Sequence, residues 1–305
     1  DIIFLGTSAS APSVRRGLSA QIVKHNEHRF LVDCGEGTQR QILQSGTGFK
    51  RLNRVLLTHG HLDHILGLGG LLSTLMRWEV LEELEVYGGR SALERVHQLL
   101  YGVVLLGKKP RAKLHLREIK PGILFETEDF TVTAFPTTHR GPDCFGYRFE
   151  EKAHRPFLAD KADELKIPFG PIRRELVMGS AVTLEDGKRI SPDDVLGALI
   201  KGASLAITGD TGRTDNLLEA VSGSDTLVIE STYAHKDVDM ARKFGHLTAR
   251  QAAELAKQAG VKRLILTHLS RRYRERDILA EARAVFPQSH VARDFDTYTI
   301  KREKK

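Results

Sequence analysis

The stretch Leu56-Leu57-Thr58-His59-Gly60-His61-Leu62-Asp63-His64 decides how this chain is read. An apolar, strand-like run, Val55-Leu56-Leu57, ends in H-x-H-x-D-H: three imidazoles and a carboxylate within six residues. Imidazole nitrogen and carboxylate oxygen are the ligands of divalent ions, zinc above all. In an extended segment, residues two apart point the same way, so His59 and His61 can grip one ion. Asp63 and His64, past the turn, face elsewhere and can serve a second. A polar loop that is His-rich by accident is the competing explanation, and the density of ligand-type residues at one strand end argues against it.

The rest of the chain supplies further ligands by a recurring grammar: a strand, then a metal-type side chain at its C-terminal end. Phe130-Thr131-Val132-Thr133-Ala134-Phe135 delivers His139, Leu205-Ala206-Ile207-Thr208 delivers Asp210, and Arg263-Leu264-Ile265-Leu266-Thr267 delivers His268. Thr226-Leu227-Val228-Ile229 delivers Glu230 in the same way. Loops at strand ends on one rim of a sheet are where α/β proteins build sites. Ahead of the cluster, Ile2-Ile3-Phe4-Leu5 reads as a buried strand. Ala20–Lys24 and Arg29–Asp33 read as a hairpin. Helices are expected from Ile65 to Met76, from Ala92 to Tyr101 and from Thr248 to Gln258. The last has a capping-box start, Thr248-x-x-Gln251, and Gly260 to cap its end.

Composition sets the class. At 305 residues, 41% hydrophobic and 28% charged, the chain has ample core for one large domain or two small ones. No apolar run approaches the roughly 20 residues that span a bilayer, and no signal-peptide pattern opens the sequence. Two cysteines, Cys34 and Cys144, make no disulfide framework; they read as small buried residues in a reducing cytoplasm. The excess of 46 Lys+Arg over 39 Asp+Glu, +7 net, favours a polyanionic partner.

One region breaks the pattern. Residues 152–194 show little periodic hydrophobicity and much turn material, and they carry Arg155, Lys161, Lys166, Arg173 and Arg174. A stretch this long without a regular element is usually functional or mobile.

Grouped by position, His59, His61 and His139 would hold one ion and Asp63, His64 and His268 the other, with Asp210 bridging. Two ions about 3.5–4 Å apart with a water between them generate hydroxide near neutral pH and clamp a displacement at phosphorus. Asp63 can also orient or deprotonate that water. The leaving group needs a proton that a metal-held imidazole cannot give, and His246, beside the capped helix start, is the best non-ligand donor, with Glu230 to orient it. The remaining histidines, His25, His28, His97, His115, His154, His235 and His290, sit in polar surroundings and read mostly as surface residues.

H-x-H-x-D-H with distant His, Asp and His is the pattern of the metallo-β-lactamase fold, an α/β architecture of two sheets with helices outside (αββα). Leu5-Gly6-Thr7, Asp33-Cys34-Gly35-Glu36-Gly37-Thr38-Gln39-Arg40-Gln41, Gly209-Asp210-Thr211 and Leu266-Thr267-His268-Leu269-Ser270-Arg271-Arg272-Tyr273 together resemble bacterial ribonuclease Z, the endonuclease that removes 3′ trailers from precursor tRNA. The likeness covers nearly the whole chain as a single domain, 1–305. Within it, Phe169-Gly170-Pro171 in the 152–194 insertion looks like the flexible arm that clasps the tRNA elbow. It implies two zinc ions per subunit (manganese also suits the oxygen-rich second site), a cytoplasmic homodimer with no membrane part, and cleavage leaving a tRNA 3′-hydroxyl and a trailer 5′-phosphate. Asp63 would take the general-base role and His246 the proton-donor role, with Lys166, Arg173, Arg174 and Arg272 expected on the RNA. Two positions depart from the family pattern P-x-K-x-R-N: Pro12-Ser13-Val14-Arg15-Arg16-Gly17 has Val14 and Gly17 in place of Lys and Asn. The alternative on the same scaffold is a small-molecule phosphodiesterase or thioester hydrolase. It needs neither the arm nor excess positive charge.

Overall fold

Alternation along the strands sorts apolar side chains onto two faces, and here both faces are buried. Ile2 and Phe4 point one way and Ile3 and Leu5 the other, all at 6% exposure or less. A strand buried on both faces must be sandwiched, which accounts for the continuous apolar runs. The structure, a computed structural model, describes residues 1–79, 81–110 and 112–301.

Two seven-stranded sheets stack face to face. The first runs in the order Thr297–Tyr298, Ile2–Gly6, Ala20–His25, His28–Val32, Arg54–Leu56, Glu83–Gly88 and Lys113–Glu118. The second runs Ser289–Val291, Arg263–Thr267, Thr226–Glu230, Ser204–Ile207, Phe145–Glu151, Phe130–Pro136 and Gly122–Glu126. Between them lies one apolar layer drawing Phe4, Phe30 and Leu56 from the first sheet and Phe130, Tyr147 and Val228 from the second. Helices Leu68–Trp78 and Arg90–His97 cover the outer face of the first sheet, against Leu5, Leu31 and Val86. Helices Ala249–Gln258 and Glu275–Val285 cover the outer face of the second, against Leu227, Leu264 and Leu266. The expected αββα sandwich is therefore the architecture.

Strand direction places the site. Ser204–Ile207, Thr226–Glu230 and Arg263–Thr267 are mutually parallel, and Phe130–Pro136 runs the same way, two antiparallel steps further across the sheet. Their C-terminal ends share one rim. In the first sheet, His28–Val32 and Arg54–Leu56 are parallel and end together at Asp33 and Thr58.

Several local expectations change. The helix expected over 65–76 is two pieces, Leu62–Ile65 and Leu68–Trp78. Between them Gly67 passes so close to the Gly35 carbonyl that a Cβ would not fit, and its N–H bonds the Cys34 carbonyl at 2.9 Å. The helix expected from Ala92 to Tyr101 is α-helical only over Arg90–His97 and then widens to a π-helical run, Gln98–Leu105. The capping box at Thr248 and Gln251 forms as the sequence indicates. Of the seven histidines read mostly as surface residues, His97 and His154 are exposed, whereas His25, His28, His115, His235 and His290 are half-buried, His25 and His28 stacked on Phe130. Both cysteines are buried and unpaired, and burial pushes their thiols up to about 12 at Cys34 and about 11 at Cys144. Among the described residues no helix is long and apolar enough to cross a membrane.

The largest change concerns residues 152–194, which are not irregular. They hold helices Ala159–Glu164, Pro171–Val177 and Pro192–Val195 and a ribbon, Val182–Thr183 with Arg189–Ile190. These elements close around a small core of their own, including Ala162, Ile167, Leu176 and Val195. Elements of two to seven residues are too short to show a hydrophobic period. The unit leaves the sheet after Phe145–Glu151 and returns before Ser204–Ile207, joined by paired backbone at His154 and Ile200 and at Phe157 and Leu196.

A unit with its own core on so narrow a base should melt by itself. Leu176→Ala, at a cost of about 2–5 kcal/mol for a buried leucine, should raise protease cleavage within 155–195 while the main thermal transition stays in place. A shift of the whole transition would show that the insertion shares the main core.

Candidate active site

The H-x-H-x-D-H segment acquires its geometry from Asp33. Its carboxylate accepts from the Thr58 N–H at 2.8 Å and the Thr58 hydroxyl at 2.9 Å, tying the two strand ends together. The same carboxylate accepts from His64 Nδ1 at 2.8 Å, so the proton sits on Nδ1 and the Nε2 lone pair faces the rim. Asp33 and His268 both adopt left-handed backbone, φ +59° and +55°, turning sharply at a strand end to aim their side chains back.

The same arrangement recurs at three more imidazoles. His139 Nδ1 donates to the Gly245 carbonyl at 2.6 Å. The Thr232 hydroxyl donates to Glu230 Oε2 at 2.5 Å, so it accepts from His268 Nδ1, 2.9 Å away. The Thr58 hydroxyl, already donating to Asp33, accepts a hydrogen bond from His59 Nδ1–H at 3.0 Å. Each ring thus has its Nδ1 proton held from behind and a bare Nε2 in front, the arrangement of metal-ligating histidines.

Those bare nitrogens converge. Asp210 Oδ2 is 3.9 Å from His59 Nε2, 3.9 Å from His139 Nε2, 3.4 Å from His64 Nε2 and 3.3 Å from His268 Nε2. Asp63 Oδ2 is 3.8 Å from His64 Nε2 and 3.4 Å from His268 Nε2. His61 Nδ1 is 3.3 Å from His139 Nε2. Ligand atoms cluster as His59, His61 and His139 on one side and Asp63, His64 and His268 on the other, with Asp210 against both. His59 Nε2 is fully buried and has no hydrogen-bond partner. An orphaned lone pair among other lone pairs and two carboxylates fits a cation.

Electrostatics agree. Burial, reinforced by the neighbouring imidazoles, holds His59 well below its usual range and His61 down to about 4, so both rings are neutral. Burial disfavours charge on Asp63 and Asp210, but surrounding histidines override it and keep both carboxylates ionised. His64 differs: burial lowers it, yet Asp210 and Asp33 together hold it well above the normal imidazole range. That excess negative charge attracts a proton or a metal ion, and the two compete for one lone pair.

His246 stands beside this cluster. Its Nδ1 is 2.9 Å from Glu230 Oε1, and the Glu230 carboxylate, 1% exposed, also accepts from the Thr211 N–H at 2.8 Å. Burial works against a charged His246, but the Glu230 carboxylate raises it to about 9. The ring opens on a cleft lined by Ser10, Arg140, Tyr233, Phe244 and Arg272.

The structure therefore brings together Asp63, His59, His61, His64, His139, Asp210, Glu230, His246 and His268. Arg272 is exposed in the adjoining cleft. Lys166, Arg173 and Arg174 lie away in the insertion, and Arg173 is not free for a phosphate. Its guanidinium bonds Asp163 at 2.6 Å and the Ile167 carbonyl at 2.7 Å, and lies 3.7 Å over the Phe169 ring. Sequence reasoning gave no site role to Asp33, Thr58 or Thr232. Asp33 follows a strand as the ligands do, which was its available signal; the hydroxyls carry none.

The comparisons bear on the whole chain. Residues 1–162 match the family model for the anti-Pycsar protein Apyc1, and residues 167–269 match that for a beta-lactamase superfamily domain. Ribonuclease Z of Bradyrhizobium sp. (strain ORS 278) is 46% identical over 300 residues, spanning 98% of this chain and 99% of the relative. Ribonuclease Z of Bradyrhizobium diazoefficiens is 45% identical over 299 residues, spanning 98% and 99%. Among solved structures, human tRNase Z, short form, superposes with a TM-score of 0.71 at 26% identity over 99% of each chain. Identity of this order along nearly the full length, on this sandwich, makes the chain a member of the ribonuclease Z family of metallo-β-lactamase-fold proteins.

Proposed function

We propose that this protein is a zinc-dependent endoribonuclease that cuts 3′ trailers from precursor tRNA, leaving a 3′-hydroxyl on the tRNA and a 5′-phosphate on the trailer. The observation that carries the reading is the convergence of bare imidazole nitrogens and two carboxylates at one rim, in a chain that shares ribonuclease Z sequence from end to end. His59, His61 and His139 would hold one zinc ion, Asp63, His64 and His268 the other, and Asp210 both. Bound there, the ions supply an ionised water and neutralise charge on the phosphoryl oxygens.

The chain's own groups do the rest. Asp63 accepts the attacking water's proton and orients it. Glu230 holds His246 in its protonated form, and His246 donates that proton to the departing ribose oxygen. Asp33, Thr58, Thr232 and the Gly245 carbonyl fix the tautomers, so the imidazoles need no reorganisation when a cation or substrate arrives. Residues 152–194 form the arm that holds tRNA away from the cut, with Lys166 and Arg174 exposed for phosphates and Phe169, 83% exposed, at its surface. Arg173 supports that aromatic surface from beneath. The homodimer, with one subunit's arm serving the other's site, and the cytoplasmic setting belong to the same proposal. So does the +7 net charge, which suits a polyanion.

His64→Ala and Asp210→Ala should each abolish hydrolysis of a precursor tRNA and of a small aryl phosphodiester; full activity in either would remove the metal assignment. Deleting the insertion should spare the aryl phosphodiester and weaken tRNA binding, and equal loss on both would remove the arm's role. Asp33→Ala should lower zinc affinity by roughly 10–100-fold, read by chelator competition. Unchanged affinity would show that His64 needs no partner behind it.

A further inference from the structure

Asp63 is held by a backbone amide as well as by the histidine cluster. Its Oδ2 faces His64 and His268 on one side and accepts the Ser10 backbone N–H at 2.8 Å on the other. That N–H belongs to a non-glycine residue in the left-handed region, φ +58°, a conformation that persists only where its surroundings impose it.

The surroundings do impose it. The Ala9 N–H bonds the Leu269 carbonyl at 3.1 Å, and the Leu269 N–H bonds the Thr7 carbonyl at 2.9 Å, so the segment entering Ser10 is stitched to the residue after His268. The Ser8 hydroxyl donates to the Ala11 carbonyl at 2.7 Å, closing the turn around Ser10. Further along, the Thr7 and Ser8 N–H groups both bond the Gly17 carbonyl. Asp294 then accepts from the Thr7 hydroxyl at 2.7 Å, the Gly17 N–H at 2.6 Å and Gln41 at 2.8 Å. The loop is anchored at both ends while its two faces stay open. Ala9, Ser10 and Ala11 line the cleft beside His246, and Pro12 to Gly17 wall a second groove with Arg40 and Phe295.

We infer that the Ser10 backbone N–H is a positioning group for Asp63, through which the 9–17 loop controls the orientation of that carboxylate. The inference rests on the reading of Asp63 as ligand and base. A donor to Oδ2 restrains rotation of the carboxylate and leaves fewer lone pairs to choose among when a cation binds. The side chain of Ser10 is not required; its amide and its left-handed backbone are. Because Pro12 to Gly17 wall the second groove and the same loop carries the Ser10 N–H, a change in what occupies that groove can reach Asp63 without touching a ligand.

The test replaces the residue-10 amide with an ester in the full-length protein, by incorporating the α-hydroxy acid analogue of serine. Zinc affinity is read by chelator competition, and kcat and KM on an aryl phosphodiester. The ester should lose roughly 10–100-fold in zinc affinity or kcat with KM unchanged. Ser10→Val, which disfavours the left-handed backbone, should fall the same way by less, and the conservative Ser10→Gly should retain both. Zinc affinity and kcat within twofold in the ester and in Ser10→Val, with Asp63→Ala inactive, would overturn this inference alone. An Asp63→Ala protein that keeps both would overturn the parent reading and this one together.

Discussion

Everything at the rim of this sandwich depends on one constraint: two carboxylates and four bare imidazole nitrogens are confined to a volume that solvent scarcely reaches. Asp210 is 3% exposed and His59, His64 and His268 are 3% or less. Lone pairs this close repel one another, and removing them from water costs far more than their contacts return unless a cation joins them. The fold accepts that cost because each ring is also braced from behind, by Asp33, Thr58, Thr232 and the Gly245 carbonyl. The braces bring distant stretches together: Asp33 and Thr58 lie just past the ends of two neighbouring strands of one sheet, while Glu230 ends a strand of the other and Thr232 follows it. The metal centre and the meeting of the two sheets are one structural problem with one solution.

Much of this was legible in the sequence, for a physical reason. A ligand at a strand end needs only an apolar run followed by a His or Asp, and parallel strands in one sheet deliver their ends to one rim. That grammar identified His139, Asp210 and His268 alongside the H-x-H-x-D-H segment, and the capping box at Thr248 announced the helix beside His246. What was not legible acts by contact rather than by pattern. The Thr232 hydroxyl works because it lies between Glu230 and His268, and nothing in the sequence places it there. Asp33 had a strand-end position but no spacing to distinguish it from a turn residue. The insertion was hidden because its elements are shorter than a hydrophobic period, and its core appears only when Ala162, Leu176 and Val195 close on one another. The break at Gly67 and the π-helical run after His97 are tertiary effects on segments whose local pattern says helix.

Substrate selection draws on different physics from the chemistry. The metal cluster would serve many phosphodiesters, and in the proposed function the basic excess and the insertion would suit it to a long polyanion. Arg173 illustrates the difference. By charge it is an RNA contact, yet its guanidinium is committed to Asp163, Ile167 and the Phe169 ring. It shapes the surface, and in the proposed function exposed neighbours such as Arg174 would meet phosphate. The 9–17 loop lies between the two functions, with one face on the cleft and its Ser10 N–H on Asp63.

Whether seven side chains from both sheets form one two-ion site is decided by anomalous diffraction at the zinc edge from crystals of the zinc-loaded protein. Two peaks roughly 3.5–4 Å apart are expected, one contacting His59, His61 and His139, the other Asp63, His64 and His268, with Asp210 between. A single peak, or two peaks that leave Asp210 uncoordinated, would contradict that site.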